Sequence, residues 1–94
     1  MSPIRRTISI IITGKVQGVY FRQSAKEKAL ELGLCGQAKN LRDGNVQILA
    51  SGTREQLATF TDWCKKGPPH ALVTGVEITV LPLKLFDHFT IERF

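Results

Sequence analysis

The sequence predicts an α+β fold. It is a two-layer α/β sandwich with a mainly antiparallel sheet, in the chain order β-α-β-β-α-β plus a short extra C-terminal strand. Three observations predict it. The apolar period is two along "TISIIIT", residues 7–13, and becomes helical from about Phe21. Asp43-Gly44 separates two short strand-like runs, as in a hairpin. A second helical period begins after Thr53 and stops before Pro68-Pro69. Two helices and a small sheet bury their apolar sides by stacking in layers, with both helices on one face. The split β-α-β arrangement then puts the third strand between the first and the second.

Each element follows from its residues. In the first strand Ile8, Ile10 and Ile12 share one face, and Thr7, Ser9, Ile11 and Thr13 the other. Residues 14–20 read as a loop. In the first helix Phe21, Ala25, Ala29 and Leu32 fall on one side, Lys26, Glu27, Lys28 and Glu31 are mostly outward, and Gly33 is a C-terminal stop. "GQAKNL", residues 36–41, and "VQILA", residues 46–50, are the hairpin strands. Thr53 and Gln56 have capping-box spacing. Leu57, Phe60 and Cys64 form the buried side of the second helix, with Trp63 beside Phe60. Lys65 and Lys66 suit the negative end of that helix and Gly67 the position after it. Val76, Ile78 and Val80 mark a further strand, and Phe89 and Ile91 the last.

Composition narrows the function. Ninety-four residues, 43% of them hydrophobic, suit a single domain over residues 1–94. No run approaches the roughly 18 apolar residues of a membrane span. The start, Met-Ser-Pro-Ile-Arg-Arg, lacks the apolar core of a secretory signal, so a cytoplasmic location is expected. Cys35 and Cys64 have no CxxC or His partner spacing and read as reduced, buried thiols. His70 and His88 are too far apart in sequence to suggest a ligand pair, and no metal is expected. The net charge of +5 favours an anionic partner: a small phosphorylated molecule, RNA or an acidic surface. The basic residues are scattered, which weakens a nucleic-acid track. Small domains of this topology bind RNA through aromatic side chains on the open sheet face, but "TISIIIT" and "VQILA" contain none. Neither nucleic acid nor membrane is therefore expected as a partner.

The topology brings one loop and one residue together. The strands of a β-α-β unit are parallel, so the loop after the first strand and the end of the second lie at one sheet edge. Asn40 is near that end, and Arg22 opens the helix above the same edge. The loop, within "GKVQGVYFR", carries Gly14 and Gly18, which permit unusual backbone angles and close approach. Successive N–H groups in such a loop form an anion-binding nest, and the helix N-terminus adds unpaired N–H groups. Arg22 is out of place against a helix dipole unless an anion sits between them. The loop matches neither GxxxxGK[ST] nor GxGxxG. Spacing alone leaves two readings open: an anion cradle, or a glycine-rich connection with a solvated Arg.

"GKVQGVYFR", followed by "GQAKNLRDGNVQILASG" and "KKGPPHA", resembles the acylphosphatase family over nearly the whole chain, to the final "FTIERF". The resemblance implies a ferredoxin-like sandwich that hydrolyses the carboxyl-phosphate bond of a small acyl phosphate to a carboxylate and inorganic phosphate. It implies hydrolysis without a metal; no cofactor and a monomeric state are expected. It makes Arg22 and Asn40 the catalytic residues, with Arg22 on the phosphoryl group and Asn40 holding the attacking water. The backbone N–H groups of Lys15, Val16, Gln17, Gly18, Val19 and Tyr20 become the phosphate cradle. Two positions expected beside the site depart from the family's pattern. They are Gln37, where an aromatic residue is frequent, and Tyr20, where the residue is often small. A carboxylate leaves phosphorus easily and needs no general acid. Few groups are therefore required, which suits a chain without an acid-base cluster.

Overall fold

The computed structural model describes residues 4–92. The residues that bear on a leader at the extreme start, 1–3, and the last two of "FTIERF" lie outside that range. The elements are β1 (Arg5–Lys15), α1 (Phe21–Leu32), β2 (Cys35–Asn40), β3 (Val46–Thr53), α2 (Arg54–Lys66), β4 (Leu72–Leu81) and β5 (Phe89–Glu92). They form one sheet in the order β4-β1-β3-β2-β5. β1 pairs antiparallel with β3 and β4, β2 pairs antiparallel with β3, and β2 pairs parallel with β5. The third strand thus lies between the first and second, and the fold is the ferredoxin-like sandwich expected.

The local signals act as their chemistry dictates. The Thr53 hydroxyl accepts from the Gln56 N–H at 3.2 Å, and Gln56 Oε1 accepts from the Thr53 N–H at 2.8 Å. That reciprocal box starts α2, and loss of such a cap costs about 1 kcal/mol. α1 stops in a Schellman arrangement. Gly33 lies at φ 79° and donates to Leu30, while the Leu34 N–H reaches the Ala29 carbonyl at 2.8 Å. Period-two and helical faces meet in one core. Ile8, Ile10 and Ile12 of β1 and Val46, Ile48 and Ala50 of β3 are buried against Phe21, Ala25 and Ala29 of α1 and Leu57, Phe60 and Cys64 of α2. Phe60 stacks near Trp63 and meets the edge of Phe89, which ties β5 into that core.

The structure changes three expectations. The first strand is longer than residues 7–13 and includes Gly14 and Lys15, so the loop proper is residues 16–20. Pairing with Val73 and Leu72 extends the strand, after a register shift between Thr13 and Gly14. Next, Thr7, Ser9 and Ser51 are buried although they face away from the helices. β4 and β5 occupy opposite edges, so the connection between them must cross roughly 19 Å of sheet at the usual strand spacing. It crosses the open face. Ser51 Oγ donates to the Lys84 carbonyl at 2.7 Å, and the Lys84 N–H donates to Thr7 Oγ1 at 2.8 Å. Finally, Gln37 does not adjoin the expected site. Side chains alternate along a strand. Ala38 and Asn40 face the helices, and Gln37 points to the opposite side of the sheet.

Candidate active site

β1 delivers the chain to the loop through the register shift at Thr13–Gly14. Gly14 has φ 124°, and a Cβ there would run into the Leu72 carbonyl and come within 2.9 Å of the Thr74 nitrogen. Val16 is buried and pins the loop to the core, while Val19 packs against it from the side. Gly18 has φ 73° with open space where a Cβ would stand. Tyr20 is in the left-handed region at φ 61°, unusual for a non-glycine residue. It occupies the N-cap of α1 and makes no side-chain capping bond. The first N–H groups of α1 therefore keep their free donors at the helix end. Among the described residues, the amides of residues 16–23 donate to no backbone carbonyl.

Two side chains tie this loop and helix end to distant parts of the sheet. Gln17 Nε2 donates to the Leu41 carbonyl at 2.8 Å and to the Asn45 carbonyl at 2.9 Å. Arg22 Nη1 donates to the Glu92 carbonyl at 2.8 Å. Asn40 ends β2, opposite Val46 in the hairpin. The hairpin loop that follows is closed by the Leu41 N–H on the Asn45 carbonyl at 2.8 Å and by Asp43 accepting from the Asn45 N–H at 3.0 Å.

These elements enclose a cavity of about 420 Å³. Val16, Gly18, Tyr20, Phe21, Arg22, Gln23, Asn40 and Ile91 line it. Arg22 and Asn40, distant in sequence, thus face one space with part of the loop. Lys15, Gln17 and Val19 flank the lining rather than form it: Lys15 is the last residue of β1, opposite Leu72. The sequence marked Ile91 only as a strand residue, and gave no sign of a place at the site for Ile91 or Gln23, or of the side-chain role of Gln17. Ile91 reaches the cavity because β5 pairs in parallel with β2, opposite Ala38. No local pattern reveals that choice of edge. A larger hollow of about 650 Å³ lies along Glu27, Glu31, Trp63, Lys66 and Pro69, and contains neither Arg22 nor Asn40.

The chemistry available in the cavity is that of an anion site. It offers a guanidinium, backbone donors at a helix N-terminus and a carboxamide. Among the described residues, no three His, Cys, Asp or Glu side chains gather as a cation's ligand set. Cys64 lies in the core with its thiol pushed well up from the ordinary value by burial, and Cys35 is half-buried; both are unpaired. No helix among the described residues is long and apolar enough to cross a membrane.

Comparison with known proteins agrees with the geometry. A family model described as acylphosphatase matches residues 8–91. An acylphosphatase of Methylococcus capsulatus is 44% identical over 89 residues, which cover 94% of this chain and 97% of that protein. The solved acylphosphatase structure from Coxiella burnetii superposes with a TM-score of 0.90 at 38% identity, covering 94% of this chain and 93% of that one. The acylphosphatase crystal structure from Bacillus subtilis gives 0.90 at 36% identity, covering 95% and 99%.

Proposed function

The chain belongs to the acylphosphatase family, and on that premise we propose how its own residues carry out the reaction. The enzyme hydrolyses acyl phosphates to a carboxylate and inorganic phosphate. In our reading the phosphoryl oxygens rest on the N–H groups of Lys15 to Tyr20 and of the α1 N-terminus, with the Arg22 guanidinium as a planar clamp. Asn40 orients a water in line with the scissile bond. The water oxygen attacks phosphorus. The bond from phosphorus to the acyl oxygen breaks, and its electron pair leaves with the carboxylate. A proton of the water passes to a phosphoryl oxygen, because a carboxamide is a poor base.

The observation that carries this reading is the shared cavity of Arg22, Asn40 and the loop residues Val16, Gly18 and Tyr20. Phosphoryl transfer needs positioning and charge stabilisation rather than covalent chemistry. Free amides and a guanidinium supply both. Metal independence belongs to the same proposal and rests on that donor set. So do a single domain over residues 1–94, a monomeric state, and a cytoplasmic location without nucleic acid or membrane as partner.

The test is hydrolysis of benzoyl phosphate by the purified chain in excess EDTA. Turnover well above the spontaneous rate is expected. A folded protein with no such turnover removes the reading; activity that requires an added divalent cation removes its metal-free form.

A further inference from the structure

The Gln17 side chain has a partner set that the reaction as described does not use. Its Nε2 bonds both the Leu41 and the Asn45 carbonyls, at 2.8 and 2.9 Å. A primary amide nitrogen carries two N–H groups, so both donors are engaged. The orientation of the carboxamide follows from its partners: turned over, Oε1 would oppose two acceptors. Leu41 is the residue directly after Asn40. The bond therefore joins the middle of the loop to the chain just beyond the carboxamide that holds water. The sheet joins the two halves at β3, whose Val46 pairs with both Ile12 of β1 and Asn40 of β2, and Arg22 joins the start of α1 to Glu92 of β5; neither contact reaches the middle of the loop. The loop hangs from the Lys15–Leu72 pair of β1 and β4, and Asn40 from the Asn40–Val46 pair of β2 and β3.

We propose that Gln17 is a positioning residue, which sets the distance between the phosphate cradle and the Asn40 carboxamide by bridging the loop to the β2–β3 hairpin. The inference rests on the roles assigned above to the loop and Asn40. In-line attack requires the reacting atoms within about 3–3.5 Å and aligned, and a misplacement of about 1 Å can cost roughly 10²-fold in rate. The cradle binds phosphate by its own amides and Arg22. Loss of the bridge therefore acts on turnover more than on phosphate affinity.

Two variants of the full chain test it. Gln17→Met keeps the length and removes both donors. Gln17→Glu keeps the shape and sets a carboxylate against two carbonyls. With benzoyl phosphate, Gln17→Met is expected to lower kcat by roughly 10- to 100-fold, with inhibition by inorganic phosphate little changed. Gln17→Glu is expected to be worse at neutral pH. Relative to wild type at the same pH, it recovers as pH falls, because a protonated carboxyl can donate one bond. The two carbonyls disfavour its ionised form, so recovery begins above the ordinary Glu range.

Wild-type kcat in folded Gln17→Met overturns the proposal. So does a loss of turnover matched by an equal loss of phosphate inhibition, or a Gln17→Glu ratio that does not vary with pH. A measurement on the unsubstituted chain is independent of variant folding: scalar coupling from the Gln17 side-chain nitrogen to the carbonyl carbons of Leu41 and Asn45. Its presence supports the bridge and its absence overturns it. Arg22→Gln and Asn40→Ala run alongside separate the premises. If both lose turnover and Gln17→Met does not, the site stands and the bridge falls. If neither loses turnover, the site reading falls and the proposal with it.

Discussion

The Arg22 guanidinium donates through Nη1 to the backbone carbonyl of Glu92, 2.8 Å away and 70 residues further along the chain. That acceptor exists because β5 runs parallel to β2 and ends at the same sheet edge. It holds the guanidinium over the cavity by a neutral group, so the arrangement keeps a full positive charge beside a helix N-terminus.

Arg22→Gln is therefore expected to lose at least roughly 10²- to 10³-fold in turnover, the usual effect of removing a preorganised donor at a developing charge. Inhibition by phosphate should weaken with it. Arg22→Lys is not expected to rescue. A lysine has one nitrogen centre, which cannot bond the Glu92 carbonyl and also present a planar fork. Steady-state kinetics with phosphate as inhibitor decide the matter; unchanged phosphate affinity refutes the role.

Asn40→Ala should separate binding from turnover. The backbone pairing with Val46 survives the substitution, so the fold and the cradle persist. Turnover is expected to fall by about 10²-fold as water loses its orientation, while phosphate inhibition stays nearly constant. Normal turnover would mean that another group holds the water.

The two glycines of the loop region should respond differently to a methyl group. Gly14→Ala drives a Cβ against the Leu72 carbonyl at a φ of 124°. Gly18→Ala meets open space and only the left-handed strain at φ 73°, about 1–2 kcal/mol. Denaturant unfolding should show the larger loss for Gly14→Ala. Equal losses would mean that β1 and β4 separate there without cost.

Cys64 should mark the alkaline limb of stability. Burial raises its thiol pKa from the ordinary 9.0, so the folded state keeps a proton that the unfolded state releases above that pH. The contribution is fully present below about pH 9 and declines above it, by about 1.4 kcal/mol per pH unit. Between about pH 8 and pH 10, Cys64→Ala should lose roughly 1.4 kcal/mol less than wild type. Parallel curves for the two proteins would count against the assignment.

Much of this protein was legible in the chain itself. The alternation of Ile8, Ile10 and Ile12, the Thr53–Gln56 cap, the Gly33 stop and the Asp43-Gly44 turn are each decided within a few residues, by backbone angles and side-chain period. From those elements the parallel β1 and β2 followed, and with them the meeting of Arg22 and Asn40 at one edge. Tertiary structure decided the rest: which edge β5 joins, the crossing of the open face by the Lys84 segment, the side of the sheet on which Gln37 lies, and the reach of Gln17 to Leu41 and Asn45. These depend on strand order and on alternation parity across the sheet. A local pattern specifies what each segment is, but only the assembled sheet brings carbonyls such as those of Glu92 and Leu41 within reach of a particular side chain.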